Sequence, residues 1–562
     1  MYVSLICFLF TGLIFLVYGK SFIIKFCKHE IANYNTFDSF FIGLCLTGTF
    51  LNFWSLFLPV DAFSLLFLSL GAACLVYFNK AYFFPFFSTL RKQIFSHKIF
   101  FLFLLVAVII TLLYGLVTPR NYDSYLYHIN AIQWNEMYGT VPGLANFHDR
   151  FGLNSSVFVL SAAFSYHFLY NQYIFTISSL CYLVFFIWLL KQIHFKKGVI
   201  GLFSLLFLYF FTAQYTNDIS SPATDLLPNI LVGYVLLSLL FDSEILTKKA
   251  YLFIILPLFC ITLKLSTFPI VFIGLFAVYS KKGGLFKTLL QSIGFGCLLI
   301  LPWMIKNVIL TGYLIYPLAE LDLFNFDWEV SGNSVLDIKK WITSWARIPM
   351  KNHDEVLAMP FKEWFSVWWN ASLTVNKIFY SLAAVTPLIF IIYQLFNKKR
   401  DKTILLTVLV AYLGLIFWFV TAPDVRFSFA FVLFLALLPL FFFKSLVDKV
   451  AGKINPLLII STVYCLLLMG KNGYKLFCED YISAGKFSKY AYLPSDVSEI
   501  KDKRNIKFNS VILITKEGEK IELFEPNPNH TQCFDKFPCS WYIESNFNLR
   551  GEGLKDGFKI NE

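Results

Sequence analysis

Charge is what this sequence has least of. Asp, Glu, Lys and Arg make up 15% of its 562 residues, against 57% hydrophobic ones, and the mean hydropathy is +0.65. That balance excludes an ordinary soluble multidomain chain, whose elements alternate polar and apolar residues. Several motifs are missing too. The chain has no P-loop, no Gly-rich dinucleotide fingerprint, no His-Glu-x-x-His and no nucleophile elbow. No nucleotide-sugar, zinc-hydrolase or esterase site is therefore legible. Long loops are few, and none of the runs of Phe marks a ligand. The 67 Phe are expected on helix surfaces that face lipid.

What is present is a series of apolar runs of membrane-spanning length, about 20 residues each. We read spans at 2–18, 39–59, 62–78, 99–117, 172–190, 198–213, 226–241, 250–263, 267–280, 286–304, 378–396, 403–420, 427–444 and 455–470. The first lacks the basic start and small-residue cleavage site of a signal peptide and reads as a retained helix. The short spans suggest broken or tilted helices around a cavity. Segment 155–169 reads as a re-entrant or interfacial helix; a full crossing there would invert every later loop.

Basic residues set the orientation. One set of loops carries Lys20, Lys25, Lys28, Lys80, Arg91, Lys92, Lys98, Lys191, Lys196, Lys197, Lys248 and Lys249. It continues with Lys281, Lys282, Lys287, Lys398, Lys399, Arg400, Lys402, Lys444, Lys449 and Lys453. The short loops of the other set carry only Arg120, Arg150, Lys264 and Arg426. The first set is expected in the cytoplasm and both termini outside. The net charge of +12 is then a topology signal, not a nucleic-acid surface.

The division expected is a multi-span membrane domain over 1–470, with outer loops 118–171 and 305–377, and an extracytoplasmic appendage over 471–562. Trp328, Trp341, Trp345, Trp364, Trp368 and Trp369 crowd the second loop. Trp favours the membrane interface, so this loop reads as juxtamembrane amphipathic helices. In the appendage, residues 511–515 and 520–524 suggest a hairpin around Glu517 and Gly518. Most of the 11 cysteines fall in apolar surroundings as small hydrophobes. Cys533 and Cys539 are placed outside, where a disulfide can form.

The polar residues that break the apolar pattern are the candidate site. Asp123 follows a span and opens the first outer loop. It is either a helix N-cap or a general base, and it could help hold a divalent cation, which the sequence does not require. His128 lies about 140° round from it on an α-helix. His148, Asp149 and Arg150 form a second cluster, and Asp218 and Asp225 stand in a hydroxyl- and amide-rich loop suited to a carbohydrate or polar head group. Lys264, Lys306 and Arg426 sit at outer span edges, where ionisable groups are costly to place. Together they suit a phosphate, unless they merely snorkel to headgroups.

An acidic residue opening an outer loop after an early span, followed by a re-entrant helix and many spans, resembles the GT-C-fold glycosyltransferases. The segment Ile305-Lys-Asn-Val-Ile-Leu-Thr-Gly-Tyr-Leu-Ile-Tyr-Pro317 is similar to their basic-Asn…Thr/Ser-Gly…Pro pattern. Three further pieces resemble an uncharacterised bacterial family of large GT-C-like membrane proteins. They are Tyr122-Asp-Ser-Tyr-Leu-Tyr-His128 with Val141-Pro-Gly-Leu-Ala-Asn146, Ala422-Pro-Asp-Val-Arg-Phe427, and, in the tail, Gln532-Cys…Pro-Cys539 with Leu549-Arg-Gly-Glu-Gly-Leu-Lys-Asp-Gly-Phe558.

The fold expected is an all-α polytopic GT-C-like bundle of about 13–15 spans with a small α/β or β-rich appendage. The resemblance implies sugar transfer, usually with inversion, from a polyprenyl-phosphate donor to a glycan or lipid acceptor. The setting would be the outer face of a bacterial inner membrane. Asp123 would be the base, Lys264, Lys306 and Arg426 the phosphate grip, and His128, His148, Asp149, Arg150, Asp218 and Asp225 donor or acceptor contacts. Asp123 is flanked by Tyr122 and Ser124, where many relatives carry paired metal-binding acids. The other classes open are a polysaccharide polymerase or ligase, and a lipid-linked glycan transporter.

Overall fold

The computed structural model describes residues 1–280, 285–396, 401–444, 451–481, 492–494, 496, 506–515, 518–527, 530–544 and 546–560. The expected loop cations Lys281, Lys282, Lys398, Lys399, Arg400 and Lys449, and the turn residue Glu517, lie outside the described residues.

The chain is a bundle of apolar helices, a multi-pass membrane protein. Among the described residues, 10 helices are long and apolar enough to cross a bilayer. They are Tyr2–Phe26, Thr36–Ser55, Lys98–Gly115, Thr176–Lys196, Gly198–Tyr215, Leu289–Thr311, Thr374–Leu395, Lys402–Thr421, Val425–Phe442 and Pro456–Asp480. Each overlaps an expected span. The expected 13–15 is nevertheless too many, because the remaining runs are bent or short. Ala62–Phe78 turns by 98° into Lys80–Lys92, and counting that pair gives at most 11. Leu226–Phe241, Ala250–Leu263 and Leu265–Ser280 fall below span length. At 1.5 Å per residue, a helix as short as Ala250–Leu263 covers roughly 20 Å of a ~30 Å hydrocarbon layer.

Segment 155–169 is likewise no crossing. Helix Ser156–Ala163 has 8 residues, and the chain then passes through Tyr166 at φ 53° into His167–Tyr170. Phe is divided between roles. Phe15, Phe41, Phe185 and Phe211 lie in the core, whereas Phe63, Phe78 and Phe84 are exposed on helix surfaces. The lipid-facing expectation thus covers only part of them.

The first two helices touch backbone to backbone. A Cβ on Gly43 would lie 1.7 Å from the Phe15 carbonyl oxygen, so only glycine permits this crossing. One end of the bundle is tied by Lys249, whose ammonium donates to Asp38 at 2.7 Å while the Tyr234 hydroxyl donates to the other carboxylate oxygen at 2.7 Å. The expected outer loops meet at the opposite end. There the Trp368 indole donates to the Pro423 carbonyl at 2.8 Å, and Arg120 pairs with Asp480 at 2.9 Å.

Helices Gly332–Arg347, His353–Ala358 and Phe361–Ala371 make up the Trp-rich segment. Trp341 and Trp345 are exposed, while Trp364 and Trp368 are buried against the bundle. The last long helix, Ala451–Tyr481, runs past the expected domain boundary at 470. Beyond it, β1 (Phe508–Ile514) pairs antiparallel with β2 (Lys520–Pro526), the expected hairpin. A second ladder joins β3 (Phe547–Leu549) to β4 (Phe558–Ile560), and Cys533 is disulfide-bonded to Cys539.

Candidate functional site

The cluster begins at a break in helix geometry. After Asp123 the chain makes one π-helical turn, Ser124–His128, closed by Ile129 N–H donating to the Ser124 carbonyl. In an i→i+5 turn five residues make about one circuit, so His128 returns closer to the face of Asp123 than an α-helix allows. Such turns occur often at functional sites. Asp123 does not cap this turn with its side chain. Its own N–H is instead held by the Asn121 side-chain oxygen at 2.9 Å. The carboxylate is thereby left to the cations.

Two arginines meet it. Arg426 Nη1 is 3.1 Å from Asp123 Oδ2, and Arg150 Nη1 is 3.6 Å from Oδ1. Arg426 also reaches Asp424 Oδ2 at 3.0 Å and Asp225 Oδ2 at 3.8 Å through Nε. Asp225 pairs in turn with Lys264, whose ammonium lies 3.8 Å from the centroid of the Phe427 ring. Asp218 completes the set, accepting from Asn121 at 2.6 Å.

Arg426 is placed by a kink. Helix Val425–Phe442 starts with Asp424 as N-cap, its carboxylate accepting from Arg426 N–H at 3.1 Å. The helix then breaks at Ser428, with φ −146° and ψ 27°. The backbone groups released there are captured by three neighbouring elements. Tyr215 and Asn229 donate to the Arg426 carbonyl at 2.8 and 3.2 Å, and Ser266 donates to that of Phe427 at 2.9 Å. Ala430 N–H donates to Asn229 at 3.0 Å. The turn before the helix is held by the Trp368 and Trp418 indoles, on the carbonyls of Pro423 and Asp424.

The tail braces the other side. Cys533 and Phe534 N–H groups donate to the Tyr125 carbonyl at 2.8 and 3.0 Å, and the Phe534 ring stacks on Tyr125 at 4.8 Å. Cys539 N–H donates to Asn130 at 3.2 Å. The disulfide-closed loop therefore seats directly on the π-turn.

Burial sets the protonation. It opposes ionisation of Asp123, yet Arg426, then His128 and Arg150, outweigh it and hold the carboxyl below its ordinary value. Burial pushes His128 down despite the neighbouring carboxylates, so the imidazole is neutral near pH 7. Neither of its ring nitrogens has a hydrogen-bond partner among the described residues. Burial, with Asp225 beside it, lifts Asp218 to about 7.

The structure thus gathers Asp123, Arg150, Asp218, Asp225, Lys264 and Arg426, with His128 alongside. His148 acts locally. Its Nδ1 accepts from Arg150 N–H at 3.2 Å and lies 3.0 Å from Asp149, shaping the turn that aims Arg150. Asp149 also accepts from the Trp541 indole at 3.4 Å. Lys306 is not in the cluster. Its ammonium is buried and donates to Ser55 Oγ at 3.1 Å and Asn135 Oδ1 at 2.5 Å. Lys306 stands five residues before the end of its helix, roughly 7 Å below the rim, whereas Lys264 and Arg426 sit at helix termini. Asp424, Asn121 and Asn229 are site residues that sequence reasoning missed. Among the described residues no three His, Cys, Asp or Glu side chains form a metal-holding group.

No curated protein matches the chain, and no solved structure does. Residues 1–433 match a family described as a domain of unknown function, DUF8201. This stretch contains every charged residue of the cluster and stops short of the tail. The chain belongs to the DUF8201 family.

Proposed function

We propose that this chain is a membrane glycosyltransferase of the GT-C type. It moves a sugar from a polyprenyl-phosphate donor to a glycan or lipid acceptor on the extracytoplasmic face of a bacterial inner membrane, in surface polysaccharide or glycan assembly. One observation supports this reading above the others. A mostly buried carboxylate, Asp123, shares its position with two guanidiniums and a nearby ammonium, at one end of a membrane bundle.

That constellation suits phosphate departure coupled to proton removal. Arg426 and Lys264 grip the donor phosphate and take up the charge it gains as the anomeric C–O bond breaks. The acceptor oxygen forms the new bond to the anomeric carbon from the opposite face, and its proton passes to Asp123. Phosphate binding at Arg426 also draws the guanidinium from Asp123, which restores the carboxylate's basicity. His128, uncharged and unpartnered among the described residues, is available to an acceptor hydroxyl.

Asp123→Asn tests the reading. Transfer of labelled sugar from polyprenyl phosphate in membrane vesicles should fall by roughly 10²–10⁴-fold, far more than in a control variant of matched melting temperature in detergent, since loss of the carboxylate also removes its ion pairs with Arg426 and Arg150. Full transfer by this variant, with loss only on changing Arg426, would instead favour a polymerase or ligase that depends on arginine.

A further inference from the structure

Lys306 poses a separate problem. It is 3% exposed, and among the described residues no carboxylate pairs with it. Its two contacts are neutral and both act as acceptors toward it. Ser55 has committed its hydroxyl proton to the Asn52 carbonyl at 2.9 Å, and Asn135 has committed its amide to the Ala131 carbonyl at 2.6 Å. The third ammonium N–H remains. A buried ammonium without a counter-charge is strongly disfavoured.

The space beside it is suited to the missing charge. Lys306 lines a cavity of about 30 Å³ together with Trp134, Thr140, Asn154 and Phe158. A water needs roughly 10–15 Å³ by the same measure, so the cavity admits two waters or one small ion. The polar side chains around it direct their protons elsewhere. Thr140 donates to the Ser55 carbonyl at 2.8 Å, and Asn154 donates to Asn307 at 3.0 Å. Trp134 is buried, and its indole N–H has no partner among the described residues. The unpaired donors beside the cavity are thus the third Lys306 N–H and, among the described residues, the Trp134 indole N–H. A metal cation is excluded by the ammonium, and a lipid phosphate by size.

We propose that this cavity is a binding site for a small monovalent inorganic anion of chloride size, held by Lys306 with Trp134 as second donor, and independent of the Asp123 cluster. The ion neutralises the lysine and locks the ends of helices Thr36–Ser55 and Leu285–Thr311 onto helix Ile129–Met137, which continues from the π-turn.

The test is the melting temperature of the full chain in detergent, titrated with sodium chloride against sodium gluconate at constant ionic strength. A ligand bound only by the native state raises it in proportion to the logarithm of its concentration above Kd. Wild type should melt higher in chloride, and Lys306→Met should lose that shift. Asn135→Asp, which places a carboxylate against the ammonium, should also be indifferent to chloride while remaining folded, and it keeps the test decisive if Lys306→Met fails to fold. Lys264→Met should retain the wild-type shift. Equal melting of wild type in both salts would overturn the site, as would a chloride shift that survives in Asn135→Asp.

Discussion

Arg426→Met removes the guanidinium and keeps an unbranched stem of similar length. In its absence Asp123 retains only Arg150, at 3.6 Å, and Asp225 retains Lys264. Asp424 loses its ion pair with the guanidinium and keeps its bond to the residue-426 N–H. Removing one partner of a buried pair destabilises by about 3–5 kcal/mol. The side chains of Arg426 and Asp424 are 28% and 25% exposed, which places the expected loss lower, at about 2–4 kcal/mol. Chemical unfolding in detergent micelles measures it. Asp424→Asn added to Arg426→Met should recover about 1 kcal/mol of the loss, since the stranded charge is then gone.

The pH dependence has a definite sign. In wild type the folded-state value of Asp123 is lowered, so its stabilisation is fully present above the unfolded value near 3.9. It is lost as pH falls through the still lower folded value. In Arg426→Met the largest lowering influence is gone and burial dominates, so the carboxyl of Asp123 rises. Its contribution then becomes favourable in acid and disappears as pH rises. The gap between variant and wild type should be widest at neutral pH and narrow toward pH 4. A loss under about 1 kcal/mol, the range of exposed pairs, or a gap that does not change with pH, would refute this account of the cluster.

Burial lifts Glu136 to about 7 despite hydrogen bonds from Ser165 and Tyr173. Its stabilisation is complete below the unfolded value near 4.3 and is lost as pH rises through about 7, so Glu136→Gln should flatten the decline in stability between these values, by up to ~4 kcal/mol at pH 8. Trp368→Phe leaves the Pro423 carbonyl without its indole donor and should lower stability by about 1–3 kcal/mol; on the proposed reading it should also slow sugar transfer, because the Arg426 turn is released. Gly557→Ala would set a Cβ 2.2 Å from the Pro142 carbonyl oxygen at a residue of φ +94°; limited proteolysis should then cut the tail much faster than in wild type, with the helical bundle intact.

The cluster was legible where charge is rare. Asp123, Arg150, Asp225, Lys264 and Arg426 stand out because the loops around them carry so few other charges, and ion pairs bring them together in the fold. Other features depend on neighbours that no local pattern names. The break at Ser428 has no glycine or proline beside it; it exists because Tyr215, Asn229 and Ser266 take the freed backbone groups. The π-turn depends on the tail, which returns some four hundred residues later to occupy the Tyr125 carbonyl. Asp424 was visible in Ala422-Pro-Asp-Val-Arg-Phe427 but shares its arginine only because the helix starts there. Lys306 illustrates the opposite case. Its depth could have been counted along its own helix, and grouping it with Lys264 and Arg426 ignored that distance. The span count is high for a related reason, since hydropathy marks Leu226–Phe241, Ala250–Leu263 and Leu265–Ser280 as apolar although their helices are short for a crossing.

The charge balance of the cluster constrains how any phosphate enters it. Asp123, Asp218, Asp225 and Asp424 face Arg150, Lys264 and Arg426, so the carboxylates outnumber the cations by one. An anion simply added to that set would meet net repulsion in a poorly hydrated place. It can enter in two ways: with a proton taken up by Asp218, whose carboxyl burial lifts to about 7, or by displacing a carboxylate from Arg426. On the proposed reading displacement is the route with catalytic consequences, because a carboxyl held below its ordinary value by two guanidiniums is a weak base. The ion pair would then withhold the base until a donor phosphate claims the arginine, and the kinked helix would keep that arginine's backbone fixed while its side chain changes partner. The same contact that stabilises the bundle would thus make proton abstraction depend on the donor being in place.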